Sequence, residues 1–446
     1  MQRGKIFFSI LVFLVFLSSM ALANGLNLNS LGSRALAMGG AFVGLADDFS
    51  TIFWNPAGIA LFDKKYFGFY GVDIIPKGAY ELSPKIPGLG KFTLVNAETA
   101  AKHYLAGMVA YYHPVSENVV AGLSVYTPSG LGAKWDGADF AVIANNDPSI
   151  KWESKIGMVT IAPGLAYKIN DQVFVGAALN INYAMFDIAM HAGAAEVDSL
   201  TVDLGQYEES MNGWGYGATF GVLYKPNEKI SLGATFRTAS TVKFSGEATI
   251  SKMPLLGANT TSDLEREITW PMWIAGGIAF RPVEKLILTA DLQWTQWSRI
   301  DVIETTYKDP FWSLMMAMSG DDERPMYWDD ALQIRFGAEY WSNNLAFRAG
   351  YYYDPSPAPD ETMNVLLPSY DFHALTGGLG YYLNGLQIDF AVEYLMGKER
   401  SVRYKVNPTL EEPYFEIELL PGYETAMPGT YSQNILAISI SAGYRW

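Results

Sequence analysis

Three arginines stand at alternating positions of apolar segments: Arg237 in SLGATFRT, Arg335 in ALQIRFGAEY and Arg348 in LAFRAGYYY. A guanidinium binds a carboxylate through parallel hydrogen bonds, so these are the candidate head-group contacts for an acidic ligand. Asp291, Glu339 and Asp389 share their parity, so each arginine also has an internal partner available. A charge held away from water needs such a partner. Catalytic chemistry has less to work with. The histidines are His103, His113, His191 and His373. Asp371 and His373 share a face at a spacing of two, but no Ser–His or Asp–His constellation accompanies them. No metal-ligand spacing appears and there is no Cys. The reading is a non-enzyme without cofactor or metal.

A second chemistry is apolar. Residues 310–318 (PFWSLMMAM) contain Phe311, Trp312, Leu314, Met315, Met316 and Met318. Residues 253–256 add Leu255 and Leu256 in another loop. Soluble surfaces avoid such patches, and methionines adapt to varied ligands. These residues are candidates for capture of a hydrophobic molecule; packing of loop on loop is the other use of the same residues.

The elements that must position these groups are strands. In residues 437–446 (AISISAGYRW), Ile438, Ile440, Ala442, Tyr444 and Trp446 alternate with Ala437, Ser439, Ser441, Gly443 and Arg445. Period-two alternation closing on an aromatic is the pattern of an outer-membrane barrel strand. The chain is 50% hydrophobic and 14% aromatic, yet after residue 23 it has no apolar run long enough for a membrane helix. Alternation dilutes the lipid-facing residues and explains both facts.

Fourteen strands are expected, over 66–80, 103–113, 118–127, 156–169, 172–190, 211–225, 229–250, 264–281, 285–297, 331–341, 344–353, 371–383, 385–400 and 431–446. Short and long connections alternate between them, as periplasmic turns and external loops do in such barrels. The lumen is expected to be polar and of mixed charge.

Residues 1–23 read as a secretory signal: Arg3 and Lys5, an apolar stretch, then Ala21-Leu22-Ala23. The formal charge is −15, and loses two more positive charges with that segment. No basic patch points to nucleic acid. Residues 24–62 do not read as barrel. Residues 30–48 suggest short helices of small residues, with Leu31, Ala35, Met38 and Phe42 on one face. Pro56 pushes Asn55 towards an extended conformation. A segment this small and Gly-rich needs a wall around it, so it is expected as a plug inside the barrel of residues 63–446.

The plug residues carry a family resemblance. Gly32-Ser33-Arg34-Ala35, Ala46-Asp47-Asp48 and the hatch motif Asn55-Pro56-Ala57-Gly58 resemble the N-terminal hatch of the FadL-like outer-membrane transporters of long-chain fatty acids and aromatic hydrocarbons. Gln296-Trp297-Ser298, Phe347-Arg348-Ala349-Gly350-Tyr351 and Asp354-Pro355-Ser356-Pro357-Ala358-Pro359 extend the likeness along the chain. The resemblance implies a fourteen-stranded antiparallel transmembrane β-barrel with an N-terminal, partly helical hatch. It implies an outer-membrane monomer that takes up long-chain fatty acids without an energy source of its own. Capture by external loops, lumen binding and hatch-gated, lateral release would be its steps. An aromatic-hydrocarbon channel is the alternative within the family; a general porin or an outer-membrane enzyme lies outside it. Membrane lipid, lipopolysaccharide and the barrel assembly machinery are the other expected partners.

Overall fold

The computed structural model describes residues 25–446 apart from 87, 89, 101, 198–199, 409–414 and 424. The export signal expected over 1–23 lies outside the described residues. Fourteen antiparallel strands form the wall. They are β1 Tyr66–Leu82, β2 Tyr104–Pro114, β3 Val119–Trp135, β4 Trp152–Lys168, β5 Val173–His191 and β6 Gln206–Asn227. β7 runs as Ile230–Arg237 and Ser240–Ile250, and β8 as Thr261–Trp270 and Trp273–Val283. Then come β9 Leu286–Thr295, β10 Ala331–Ser342, β11 Leu345–Asp354, β12 Phe372–Leu383, β13 Leu386–Gly397 and β14 Gly429–Arg445.

The wall closes on itself. β14 pairs with β13 from Leu386↔Tyr444 and with β1 from Tyr66↔Arg445 to Glu81↔Thr430. Closure leaves no edge, which is the only way a sheet satisfies its backbone in lipid. Short turns join β4 to β5, β6 to β7 and β12 to β13; at the last, Asn384 and Gly385 both adopt positive φ (51° and 84°). That is the geometry a two-residue hairpin prefers, and it suits Asn-Gly.

Each strand sorts its residues by face. On β10, Leu332 and Phe336 are exposed, whereas Gln333 and Arg335 are buried. On β13, Ile388 and Phe390 face out and Gln387, Asp389 and Glu393 face in. On β14, Ile438, Ile440 and Tyr444 face out and Ser439 and Ser441 face in. The exterior is thus an apolar belt. Tyr111, Tyr444 and Trp446 cluster at its lower rim, with Tyr444 and Trp446 stacked at 5.8 Å.

One strand departs from its expected course. β3 was expected to stop at residue 127, because Pro128 cannot donate to a ladder. It continues to Trp135 through a bulge between Tyr126 and Ser129. Below the bulge β3 pairs with β2, from Pro114↔Val120 to Met108↔Tyr126. Above it the two strands part. Gly107 N–H donates to Thr127 Oγ1 at 3.0 Å, and the next tie is Ala100 N–H to Lys134 O at 2.9 Å. Between them no strand pairing joins residues 102–106 to 128–133 among the described residues. The wall has a window there.

The belt makes a testable demand. Ile440 lies opposite Gly71 on β1, well inside the belt. Ile440→Arg should lower the unfolding free energy of the bilayer-inserted barrel by about 2–4 kcal/mol. Ser441→Arg, on the inner face, should instead disturb the interior; equal and negligible losses at both positions would refute the assigned faces.

Candidate functional site

Residues 25–62 lie against the inner face of the wall. After α1 (Ser33–Ala37) the chain runs in turns to α2 (Thr51–Trp54) and a 3-10 helix, Pro56–Leu61. Of the short helices expected over residues 30–48, α1 forms, about one and a half turns long, and the rest of that stretch runs in turns. Leu31, Ala35, Met38 and Phe42 are all fully buried. An irregular backbone enclosed by protein must find partners for its polar groups, and the wall supplies them. Val43 N–H donates to Asp291 at 2.7 Å. Gly39 N–H donates to Thr376 Oγ1, which donates onward to Ala37 O, both at 3.0 Å. Thr235 donates to Trp54 O at 2.9 Å and Tyr112 to Phe49 O at 2.6 Å.

Asn55 joins both sides. Its φ of −159° is extended, as the following proline requires. Nδ2 donates to Val43 O within the segment and to Val222 O on β6, both at 3.0 Å, while Oδ1 accepts from Ala57 N–H at 3.1 Å. Only a side-chain amide supplies two donors and an acceptor here. The wall makes room with glycine: a Cβ on Gly221 would overlap Asn55 Oδ1, and one on Gly233 would overlap the Val43 carbonyl.

The strongest tie is ionic. Arg34 forms a bidentate pair with Glu339 (2.7 and 2.8 Å) and a further bond to Asp47 at 2.5 Å. Glu339 also accepts from Arg348 at 2.6 Å, and Arg348 reaches Asp389 at 2.9 Å. Trp341 and Gln387 complete the outer lone pairs of Glu339 and Asp389. Two cations and two buried anions alternate in one chain from the inserted segment to β10, β11 and β13.

The three candidate arginines thus differ. Arg348 is committed to two carboxylates. Arg335 donates to Asn29 O, Gly39 O and Gln333, and its guanidinium lies 4.9 Å from the Tyr352 ring centre. Among the described residues Arg237 touches only neutral acceptors, Thr219 Oγ1 and Phe53 O, both at 3.1 Å, and lies between the Phe53 and Trp273 rings. It also lines two lumen cavities above the inserted segment, of about 20 and 40 Å³. These hold a few waters at most. A drug-sized ligand occupies a pocket of about 300–1,000 Å³, so occupation requires something to move.

Residues 26–28 are placed to do so. Leu28 N–H donates to Pro128 O at 2.9 Å, Gly130 N–H donates to Leu26 O at 3.1 Å, and Asn27 bridges Ser129. These three residues occupy the edge of β3 that β2 vacates at the window. Local pattern does not signal this pairing, because the partners are about a hundred residues apart and neither alternates. Asn27 lines both cavities, so it touches window and lumen alike.

The external loops hold the apolar candidates. Pro310–Ser319 is a helix capped by Asp309, which accepts from Phe311 and Trp312 N–H. Trp312 and Met316 are buried and Met315 is half-buried; Phe311, Leu314 and Met318 are exposed, at 42, 62 and 80%. Leu255 is exposed and Leu256 half-buried on the neighbouring loop. One helix face packs and the other is bare.

Residues 14–444 match the family model described as outer membrane protein transport protein (OMPP1/FadL/TodX). The chain is 24% identical over 430 residues to a long-chain fatty acid transport protein of Escherichia coli O6:H1, covering 86% of this chain and 89% of the relative. It is 23% identical over 421 residues to outer membrane protein P1 of Haemophilus influenzae, covering 82% and 87%. Its fold is similar to that of a Pseudomonas aeruginosa FadL homologue (TM-score 0.71, 18% identity, 94% of this chain and 99% of that one). The Ralstonia pickettii toluene transporter TbuX is similar too (TM-score 0.68, 18% identity, 94% and 99%).

The ionic chain predicts a stability effect. Glu339→Gln leaves Arg34 and Arg348 short of a buried counter-ion, at a cost of about 3–5 kcal/mol. The variant should unfold at lower denaturant and conduct more in planar bilayers. Unchanged stability and conductance would show that the chain does not hold the inserted segment.

Proposed function

We infer the route of a hydrophobic cargo from one premise: the chain belongs to the OMPP1/FadL/TodX family of outer-membrane transport proteins. It stands in the outer membrane as a closed barrel and works as a transporter rather than as an open pore. Its cargo is read as a long-chain fatty acid, the cargo in the names of the curated relatives. The observation that favours an acid over a hydrocarbon is Arg237, a half-buried cation beside the lumen cavities without a carboxylate partner among the described residues. An uncharged ligand would need only the apolar walls.

The route has four stages. Phe311, Leu314, Met318 and Leu255 capture the apolar chain at the cell surface, past the lipopolysaccharide barrier. The acid then enters the lumen, where its carboxylate replaces the neutral partners of Arg237. The aromatic rings of Phe53 and Trp273 hold the adjoining methylenes. Room for the chain comes from displacement of residues 26–28. That displacement bares the edge of β3 and opens the window, so binding and lateral release become one event. Residues 24–62 act as the hatch throughout, with Asn55-Pro56-Ala57-Gly58 fixed to the wall and only the leading residues moving. The ionic chain through Arg34 keeps the rest in place. The barrel acts as a monomer once inserted by the assembly machinery.

The head-group reading is tested by binding. Arg237→Gln should weaken a fatty acid by about 1.5–3 kcal/mol, roughly ten- to a hundredfold, and leave the matching alcohol unchanged. Arg348→Gln should instead lower stability and affect both ligands alike. A fatty-acid affinity unaffected by Arg237→Gln would exclude this residue and favour the aromatic-hydrocarbon reading.

A further inference from the structure

The apolar belt of β1 is interrupted. Phe67, Phe69, Gly71 and Ile75 share the outward face with Asp73. Asp73 lies opposite Ile438 on β14 and Leu105 on β2, both apolar and exposed. A carboxylate on a lipid-facing position is costly without water or a partner. Asp73 has a partner: its Oδ2 meets His103 Nδ1 at 2.7 Å. Among the described residues, Oδ1 is enclosed and has no hydrogen bond.

The position of His103 gives the pair its meaning. It directly precedes β2, where pairing with β1 ends at Ile74↔Tyr104 and pairing with β3 has already ended at Met108. It therefore stands on the rim of the window, and its side chain is 65% exposed. Nδ1 is taken by Asp73, so Nε2 is the nitrogen that faces outward, and it has no hydrogen bond among the described residues. Other charged groups around it are Lys102, adjacent in sequence, Lys77, the next charged outward position on β1, and, at the upper end of the window, Lys134 of β3 paired with Glu153 of β4 at 2.7 Å. β14 contributes only Ile438 and, higher up, Asn434.

A fatty acid leaving sideways meets a problem at this rim. It binds as a carboxylate but must enter hydrocarbon, where an ionised group is far costlier than a neutral one. We propose that His103, held by Asp73, hands a proton to the departing carboxylate at the window. The His103 Nε2–H bond breaks and an O–H bond forms on the ligand, giving the neutral acid and a neutral imidazole. No electrons are transferred. Nδ1–H stays on Asp73, which fixes the tautomer left behind. Water at the outer rim returns the proton to Nε2. His103 is the acid in this step and Asp73 is a positioning residue. The step rests on the fatty-acid reading above.

The experiment uses vesicles with lipopolysaccharide in the outer leaflet, the full barrel in the membrane and albumin inside as a sink. Entry of labelled dodecanoate is compared with that of dodecanol, which needs no proton. At about pH 7, His103→Gln and Asp73→Asn should slow the acid by about tenfold or more and leave the alcohol unchanged. At about pH 4, where an ordinary carboxyl group is about half protonated in water, the acid should regain most of its speed in both variants. Equal slowing of acid and alcohol, no slowing, or a defect that persists at low pH would each overturn the proposal while leaving transport itself standing. Wild-type vesicles that admit neither compound faster than empty ones would instead overturn the transport reading, and the proton step with it.

Discussion

The structure depends on one constraint: a chain folded inside a closed sheet has no water to complete its hydrogen bonds. Residues 25–62 are mostly turns, and hydrogen bonds within the segment, such as Ala46 N–H to Phe42 O and Asn55 N–H to Thr51 O, satisfy only part of their polar groups. The wall answers others with Asp291, Thr235, Thr376 and Tyr112. The charged part of the same requirement falls on Glu339, which sits between Arg34 and Arg348. Removing either partner leaves a buried charge exposed to a low dielectric, so the alternation of charges is self-enforcing. The hatch is held because the wall is incomplete without it, and the wall's inward acids are tolerable because the hatch supplies Arg34.

The same constraint explains the gate. At the window, β3 has lost its neighbour, and Pro128 O and Gly130 N–H would be orphaned. Residues 26–28 take them up with two hydrogen bonds. With the bond from Ser129 Oγ to Asn27 Oδ1, three hydrogen bonds tie this end to β3, fewer than those that hold the rest of the segment. A typical one contributes only about 0.5–1.5 kcal/mol net, so ligand binding can displace this end without dislodging the remainder. Firm anchoring at Arg34 and Asn55 with lighter anchoring at Leu26 and Leu28 is what the proposed movement of the leading residues rests on.

Much of this was legible in the residues. Alternation in 331–340, 386–394 and 437–446 identified the barrel and the inward side of Gln333, Arg335, Asp389 and Ser439, because one face of each strand must be apolar. The fourteen strands and their turns followed from the same period. Pro56 located the extended Asn55. What stayed hidden was nonlocal. Pro128 reads as a strand end because its missing N–H is a local fact, whereas the partner that keeps β3 going comes from residues 26–28. Parity placed three arginines inward but could not say that Arg348 meets two acids and Arg237 none, since partners are set by register across separate strands. The apolar run 310–318 was visible, but its division into a buried Trp312 and Met316 and a bare Phe311, Leu314 and Met318 needed the helix that Asp309 caps.

The central claim is that residues 26–28 close the window and must leave it for cargo to pass. The chain has no native cysteine, so a single disulfide can test this. Asn27 and Ser129 face each other across an antiparallel bridge, with Ser129 Oγ 3.0 Å from Asn27 Oδ1, a placement suited to a disulfide. The measurement is fatty-acid passage through the Asn27→Cys, Ser129→Cys protein in lipopolysaccharide-containing vesicles, oxidised and then reduced. The account predicts that oxidation stops passage and that reduction restores it. Passage at the full rate through the oxidised, fully cross-linked barrel would contradict it.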